Sequence, residues 1–310
     1  MIDVRRLAIL RAVAEHGSFN RAAAALCLTP SAVSQHIAAL ERGLGRPVAV
    51  RSTRGVTLTE AGRLLVETAE TVSAELEHAR RRIDRLTAER PRLTIATFTS
   101  GGRLLLPGAL ARFVAEHPGV EVTVLEREPE HSLPMVRRGA ADIALAYHYD
   151  GTPPVRPDDR SGLDWTPLLD DPLWVVLPTG HPLAGRAALA LGELAAERWV
   201  LGCLKTEGIL RRYAAVAGFE LRISGSTTDY FFAQSLVAAG LGVCLVPQVS
   251  LPPPTRDLAV VPLEPPRPTR RIGLATTRRT PRPLVTALAD LLLTASASPV
   301  DASGAPAGPV

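Results

Sequence analysis

The sequence predicts an α/β body carrying an all-α, winged N-terminal domain, with one long helix joining them. Three observations predict it. Short helical stretches with clear start and stop signals fill residues 3–44 and lead into a small strand pair. An unbroken helical pattern with a heptad seam comes next. Beyond Pro91, short β runs alternate with helical segments, the pattern of βαβ units and a parallel sheet.

In the first segment, Leu7, Leu10, Val13 and Ala14 set an apolar stripe on a helix that stops at Gly17. Ser18 is an N-cap for a short Ala-rich helix, Phe19 to Leu26. Thr29 caps a third helix that has Pro30 at its first position and runs to about Leu44, where Gly45-Arg46-Pro47 ends it. Val48–Arg51 and Val56–Leu58 pair as a wing around Ser52-Thr53-Arg54-Gly55.

Thr59 caps the long helix, and no Gly or Pro interrupts it between Arg63 and Pro91. About 28 residues at ~1.5 Å each give ~42 Å. Its seam steps by four and three through Leu65, Ala69, Val72, Leu76, Ala79, Ile83 and Leu86, with charged flanks. A stripe this long and narrow calls for a second helix, so dimerisation is favoured over packing on its own domain.

The body reads as strands 93–98, 120–125 and 142–147 with helices 103–117 and 133–138 between them. A polar, Pro-rich crossover spans 150–163. A second set follows: strands 173–177, 199–201, 221–223 and 243–246, with helices 207–217 and 229–239. Pro252-Pro253-Pro254 and 265–268 mark a second crossover, then a strand 272–276 and a closing helix 284–294. The expected domains are 1–58, a linker and dimerisation helix 59–90, and a body 91–295 of two α/β lobes (91–163 with 270–295, and 164–269). Residues 296–310, rich in Ser, Pro, Ala and Gly, read as a disordered tail.

Composition narrows the function. The 310 residues are 46% hydrophobic and 21% charged, ordinary for a globular protein. No apolar run reaches the ~18 residues a membrane helix needs, and the N-terminus lacks a secretory pattern. Cys27, Cys203 and Cys244 are widely spaced, so neither a disulfide framework nor a zinc site is expected, and the cytoplasm is the default compartment. Arg outnumbers Lys by 34 to one, as GC-rich coding produces. Residues 1–63 carry nine Arg and four acidic groups, whereas the remaining 247 residues are nearly neutral. A basic end on a neutral body points to a polyanion-binding module.

In the third helix, Val33, Ile37, Leu40 and Leu44 share the buried face, and Ser31, Ser34, Gln35 and Ala38 lie opposite. A small, polar face in the N-terminal half suits the DNA major groove. Gln35 can bond adenine bidentately, and Ser31 and Ser34 can reach base edges or phosphate. Arg51 and Arg54 on the wing suit phosphate or the minor groove, and Arg21 suits the backbone.

Residues 18–62 then carry a specific pattern: Ser18-Phe19, Ala22-Ala23, Leu26, Thr29-Pro30-Ser31-Ala32-Val33-Ser34, Ile37, Leu40-Glu41, Leu44-Gly45 and Leu58-Thr59-Glu60-Ala61-Gly62. This resembles the LysR-type bacterial transcriptional regulators. The likeness continues through Leu105-Leu106-Pro107, Phe113, Pro118, Gly139–Ala144, His181-Pro182-Leu183, Ala239–Gly242 and Pro247. Val48-Ala49 departs from the Leu-Phe usual there, removing a core aromatic beneath the wing. The resemblance implies a winged helix-turn-helix domain with Thr29 and Pro30 in its DNA-binding set. It implies a two-lobed body similar to periplasmic substrate-binding domains, with a small effector between the lobes. The implied partners are double-stranded DNA with an interrupted palindromic operator, further copies of the chain as homodimer or homotetramer, and RNA polymerase. The implied setting is the bacterial nucleoid, without a cofactor, metal or membrane.

Ligands of open α/β sheets gather at strand carboxyl ends near helix N-termini. Phe98, Thr99, Ser100 and Gly101 form one such turn, suited to an anion. Gly202 and Cys203, and Thr227 and Thr228 within 226–229, form its counterparts in the second lobe. Asp229 would disfavour an anion, and Tyr147 and His148 are weaker candidates. Cys203 is open to two readings, redox-sensing thiol or bystander, and the lack of a basic neighbour before Lys205 favours the second. Phosphate-loop, zincin and serine-hydrolase motifs are missing, which argues against an enzyme. Residues 1–90 and the missing signal peptide argue against a solute-binding protein.

Overall fold

The computed structural model describes residues 2–52, 55–86, 90–149, 151, 153–155, 162–251, 256–278 and 282–297. The chain forms two compact units, residues 1–88 with 137–140, and residues 89–136 with 141–310. Among the described residues no single helix is long and apolar enough to cross a membrane.

The first unit opens with α1 (Val4–His16), α2 (Phe19–Ala25) and α3 (Pro30–Leu44). Their bounds follow the caps. Asp3, Ser18 and Thr29 each accept a backbone N–H through the side chain, and Gly17 closes α1 at φ 59°, a left-handed conformation that glycine adopts without strain. Leu10, Val13, Ala22, Val33, Ile37 and Leu40 bury in one core. The wing is β1 (Ala49–Ser52) antiparallel to β2 (Gly55–Leu58). Val48 is fully buried, and the Glu41 carboxylate accepts the N–H groups of Val48 at 2.9 Å and Ala49 at 3.4 Å. A buried aliphatic and a carboxylate clamp thus hold the wing root where the family's aromatic is missing.

The helix α4 (Glu60–Leu86) has Thr59 as its cap, accepting from Gly62 N at 3.1 Å. A Cβ on Gly62 would lie 1.9 Å from the Val48 carbonyl oxygen, so only glycine lets α4 start this close to the wing. The seam is divided along its length. Leu65 packs against the helical core and Ala69 is buried, while Leu76 (56% exposed) and Ile83 (64%) face outward with Ala79. The side chain of Leu86 lies outside the described residues, as do Arg54 and the side chain of Arg51.

The second unit is built on a seven-stranded sheet in the order β10-β6-β11-β5-β3-β4, with β9 also paired to β6. Its strands are β3 (Arg92–Thr97), β4 (Glu121–Glu126), β5 (Ile143–Tyr149), β6 (Leu163–Pro178), β9 (Cys244–Pro247), β10 (Leu258–Pro262) and β11 (Thr269–Thr277). A parallel pair, β7 (Arg198–Leu201) and β8 (Arg222–Ser226), stands beside it, bridged to it at Trp199–Val243. The parallel sheet expected from strand–helix alternation is in fact mixed. Among the described strands, β3–β4, β3–β5 and β7–β8 pair parallel, and β11, β9 and β10 pair antiparallel.

Two further expectations change. The helix placed at 103–117 is two helices, α5 (Thr99–Leu104) and α6 (Leu106–Glu116). Pro107 in the first turn of α6 has no N–H to continue the ladder, so the chain restarts there. The strand placed at 173–177 is the end of β6, whose first part was hidden by Pro167, Pro172 and the Asp170-Asp171 pair. Residues 163–172 of β6 pair with β11, and 173–178 with β9 and β10, so one strand runs through both lobes.

The remaining helices are α7 (Pro129–Arg137), α8 (Thr206–Val216), α9 (Tyr230–Ala238) and α10 (Pro283–Ala297). Leu93, Ile95, Phe113, Leu145, Leu274 and Leu288 centre the core of one lobe. Leu173, Leu177, Trp199, Leu210 and Val243 centre the other. The tail beyond Ala297 lies outside the described residues.

Candidate functional site

In the first unit, α3 shows two unlike faces. Val33, Ile37 and Leu40 are buried, while Thr29, Pro30, Ser31 and Gln35 are exposed and Ser34 is half-buried. Thr29 Oγ1 caps the helix through Ala32 N at 3.2 Å and lies 3.0 Å from Ser31 Oγ. The N-terminal half of α3 therefore displays hydroxyls, a proline and the Gln35 amide, with no acidic side chain in its first turn to repel phosphate. Arg21 is exposed on α2. Arg51 sits in β1 opposite Val56.

In the second unit, a narrow cleft is lined by residues of both lobes. Phe98, Thr99, Ser100, Glu128, Tyr147 and Arg270 come from one, and Cys203, Thr228, Asp229, Tyr230 and Phe231 from the other. At its base is an ion pair: Arg270 is 2% exposed and Asp171 0%. Arg270 Nε and Nη2 donate to Asp171 Oδ2 at 2.9 and 2.7 Å, and Nη2 also donates to Ser100 Oγ at 3.1 Å. Burial pushes the Asp171 carboxyl up, against the pull of Arg270 and of the Val249 N–H. Burial likewise opposes the Arg270 charge, but Asp171 outweighs it and holds the guanidinium protonated. The Phe98 and Tyr147 rings lie 4.9 Å from the guanidinium carbon, adding cation–π attraction.

Contacts cross the cleft at its rim. Lys205 Nζ donates to Glu128 at 2.9 Å and to Glu130. Tyr147 Oη donates to Glu128 at 2.7 Å. Partial burial disfavours the Lys205 charge, yet the hydrogen bonds to Glu130 and Glu128 raise its pKa above the ordinary lysine value. Burial pushes the Glu130 carboxyl up, but the Lys205 hydrogen bond, a backbone hydrogen bond and the charges of Lys205 and His131 together hold it below its ordinary value. Tyr149 Oη lies 3.4 Å from Tyr230 Oη, and burial pushes the Tyr149 phenol up to about 12. Arg103 lies over the Phe231 ring at 3.6 Å.

The residues expected to hold an effector divide. Phe98, Thr99, Ser100, Cys203 and Thr228 line the cleft. Gly101, Gly202 and Thr227 stand behind the wall. A Cβ on Gly101 would meet the Phe98 ring at 2.6 Å, and one on Gly202 the Tyr230 ring at 2.4 Å. Thr227 Oγ1 donates to the Asp229 carbonyl and shapes the turn. Tyr147 is in the lining; His148 turns its Nδ1 to the Tyr149 carbonyl. Glu128, Tyr230, Phe231 and Arg270 had no local signal in the sequence. One trace existed for the last: Asp170-Asp171 and Arg270-Arg271 are opposite-charge pairs in strands that face each other, Arg270 against Asp171 and Arg271 against Asp170. The carboxylates Glu128, Glu130 and Asp229 do not fit the anionic ligand expected from the 98–101 turn. Among the described residues no cluster of three or more His, Cys, Asp or Glu could hold a metal.

A helical unit with an exposed polar face on α3, on the same chain as an α/β domain with a cleft between two lobes, points to a class: DNA-binding transcriptional regulators with an effector-binding domain. Known proteins agree. The family description "Bacterial regulatory helix-turn-helix protein, lysR family" matches residues 4–63, and "LysR substrate binding domain" matches residues 87–297. The chain belongs to the LysR family of transcriptional regulators. It is 34% identical to a Mycobacterium avium protein named "Probable hydrogen peroxide-inducible genes activator", over 85% of this chain and 84% of that one. It is 30% identical to the Hca operon transcriptional activator HcaR of Escherichia coli, over 79% and 82%. Among solved structures, the LysR family regulator HinK of Pseudomonas aeruginosa shares the fold with a TM-score of 0.55 at 21% identity, over 96% and 99% of the two chains. A cysteine mutant of Corynebacterium glutamicum OxyR, bound to hydrogen peroxide, has a TM-score of 0.52 at 26% identity, over 94% of each.

Proposed function

We propose that this regulator reads DNA through Ser31, Ser34 and Gln35 of α3. Thr29 and Pro30 set the helix entry, and Arg21, Arg51 and Arg54 hold the phosphate backbone. The observation that carries this is the division of α3 into a buried apolar face and an exposed polar one. It acts as a homodimer or homotetramer joined through α4, at an interrupted palindromic operator in the bacterial cytoplasm, on the nucleoid. It touches RNA polymerase there and catalyses no reaction. Residues 1–58 form the DNA-binding domain, 59–90 the linker, and 91–295 the effector domain with its site between the lobes. A gel-shift with the DNA upstream of its own gene tests the reading. Retention of a defined fragment, weakened in Gln35→Ala, supports it; equal retention of every fragment by both proteins sinks it.

A second reading is oxidant sensing at Cys203, favoured by the place of that thiol in the cleft wall and by relatives named as peroxide-inducible activators. Cys203→Ser decides it: a reporter that keeps its full response to peroxide removes the thiol from the mechanism.

A further inference from the structure

The cleft already holds an ammonium group, and it is the chain's own. Lys205 is the single lysine in the sequence. It sits between β7 and α8 in the second lobe and reaches across to the first. There its Nζ donates to Glu128 at 2.9 Å and to Glu130, and lies 5.8 Å from the centre of the Tyr147 ring. Two carboxylates beside an aromatic face form a donor-accepting cage for an organic cation. The lysine side chain is 33% exposed, so it can swing into water without burying its charge.

We propose that the effector is a small organic cation, an ammonium on a compact apolar body, which displaces the Lys205 ammonium from Glu128 and opens the clasp across the cleft. This rests on the reading that the cleft is the effector site. The exchange swaps one cation for another, so Glu128 is never left partly buried and unpaired. Phe98, Tyr230 and Phe231 supply apolar wall for the body of the ligand. An anion is less well met: Arg270 is already neutralised by Asp171, Lys205 is held by two carboxylates, and at the wall the negative charge of Asp229 stands against the positive charge of Arg103 over the Phe231 ring.

The test uses three probes of one shape and different charge: benzylammonium, benzyl alcohol and benzoate. Each is titrated calorimetrically against the full-length protein and the variants Lys205→Gln and Glu128→Gln, with thermal melts beside them. Removing the tethered competitor should tighten benzylammonium binding by roughly tenfold, and removing its acceptor should weaken it by roughly tenfold, from the loss of one charge-assisted hydrogen bond. These opposite signs from two partners of one ion pair cannot arise from a common folding defect. Benzoate binding more tightly than benzylammonium, and weakened by Lys205→Gln, overturns the cation while leaving the cleft as the site. Benzylammonium binding that neither variant alters also overturns it. If no probe binds any of the proteins the cation falls, and the cleft falls with it if Ser100→Val leaves the reporter response to the native inducer unmoved.

Discussion

Gln35 is the side chain on which the proposed DNA-reading face is tested. It is exposed on α3, one turn in from the cap, with Val33 and Ile37 buried on the other side. Gln35→Ala should change sequence preference, costing about 1–3 kcal/mol at one base step. Arg51→Ala should weaken binding to all sequences and lower the salt slope by about one. Site selection with both variants checks this, and an unaltered preference in Gln35→Ala would move recognition to another face. In the cleft, Arg270→Met would leave the Asp171 carboxylate buried beside an uncharged side chain. Breaking a buried pair from one side costs about 3–5 kcal/mol, so the thermal midpoint should fall clearly. An unchanged melt would mean that Asp171 finds other donors. Residues were legible in the sequence where their partners are local. Ser18, Thr29 and Thr59 cap the helices they were expected to cap, each bonding an N–H three residues on. Arg270 and Ser100 meet across 170 positions of chain, and no local pattern carries such a meeting.

The elements of the first unit were readable almost to the residue, because each has a cap at one end and a glycine or turn at the other. The sheet was less so. The bulge between Ile272 and Gly273, the prolines of β6 and its paired aspartates break the alternation that marks a strand. Strand β10 lies among prolines, in a stretch whose sequence reads as crossover. The α4 seam shows a subtler difference. A single chain satisfies its lower part, through Leu65 and Ala69, and leaves Leu76, Ala79 and Ile83 exposed. Replacing Leu76 and Ile83 with Asp should therefore leave the folded unit intact but break the oligomer, since an unpaired charge buried in a seam costs several kcal/mol. Light scattering should report a lower mass and operator affinity should fall with it. An unchanged mass would remove this stretch of α4 from the interface.

The whole molecule joins a DNA-reading unit to a ligand-reading one, and a variant in one should leave the other's direct activity intact. Ser100→Val removes a hydroxyl that lines the cleft and accepts from Arg270. It should shift the effector dose-response by roughly tenfold to a hundredfold, the loss of a hydrogen bond to a charged group being ~1.5–3 kcal/mol. DNA affinity without effector should hold. A gel-shift that weakened in parallel with the dose-response would point to a folding defect instead. The two-unit plan was legible from charge distribution and periodicity, since the excess positive charge and the heptad seam both sit before Pro91. The charge of the cleft was not, because Glu128 and its neighbour Glu130 come near Lys205 and Asp229 only when the lobes fold. The solitary Lys205 gives the protein one more property, useful at the bench. Amine-reactive reagents have a single side chain to find in the entire chain, and that side chain stands at the rim of the cleft. Acylation of Lys205 followed by mass spectrometry would footprint this one position, fast when the rim is open and slow when it is clasped, with no engineered label.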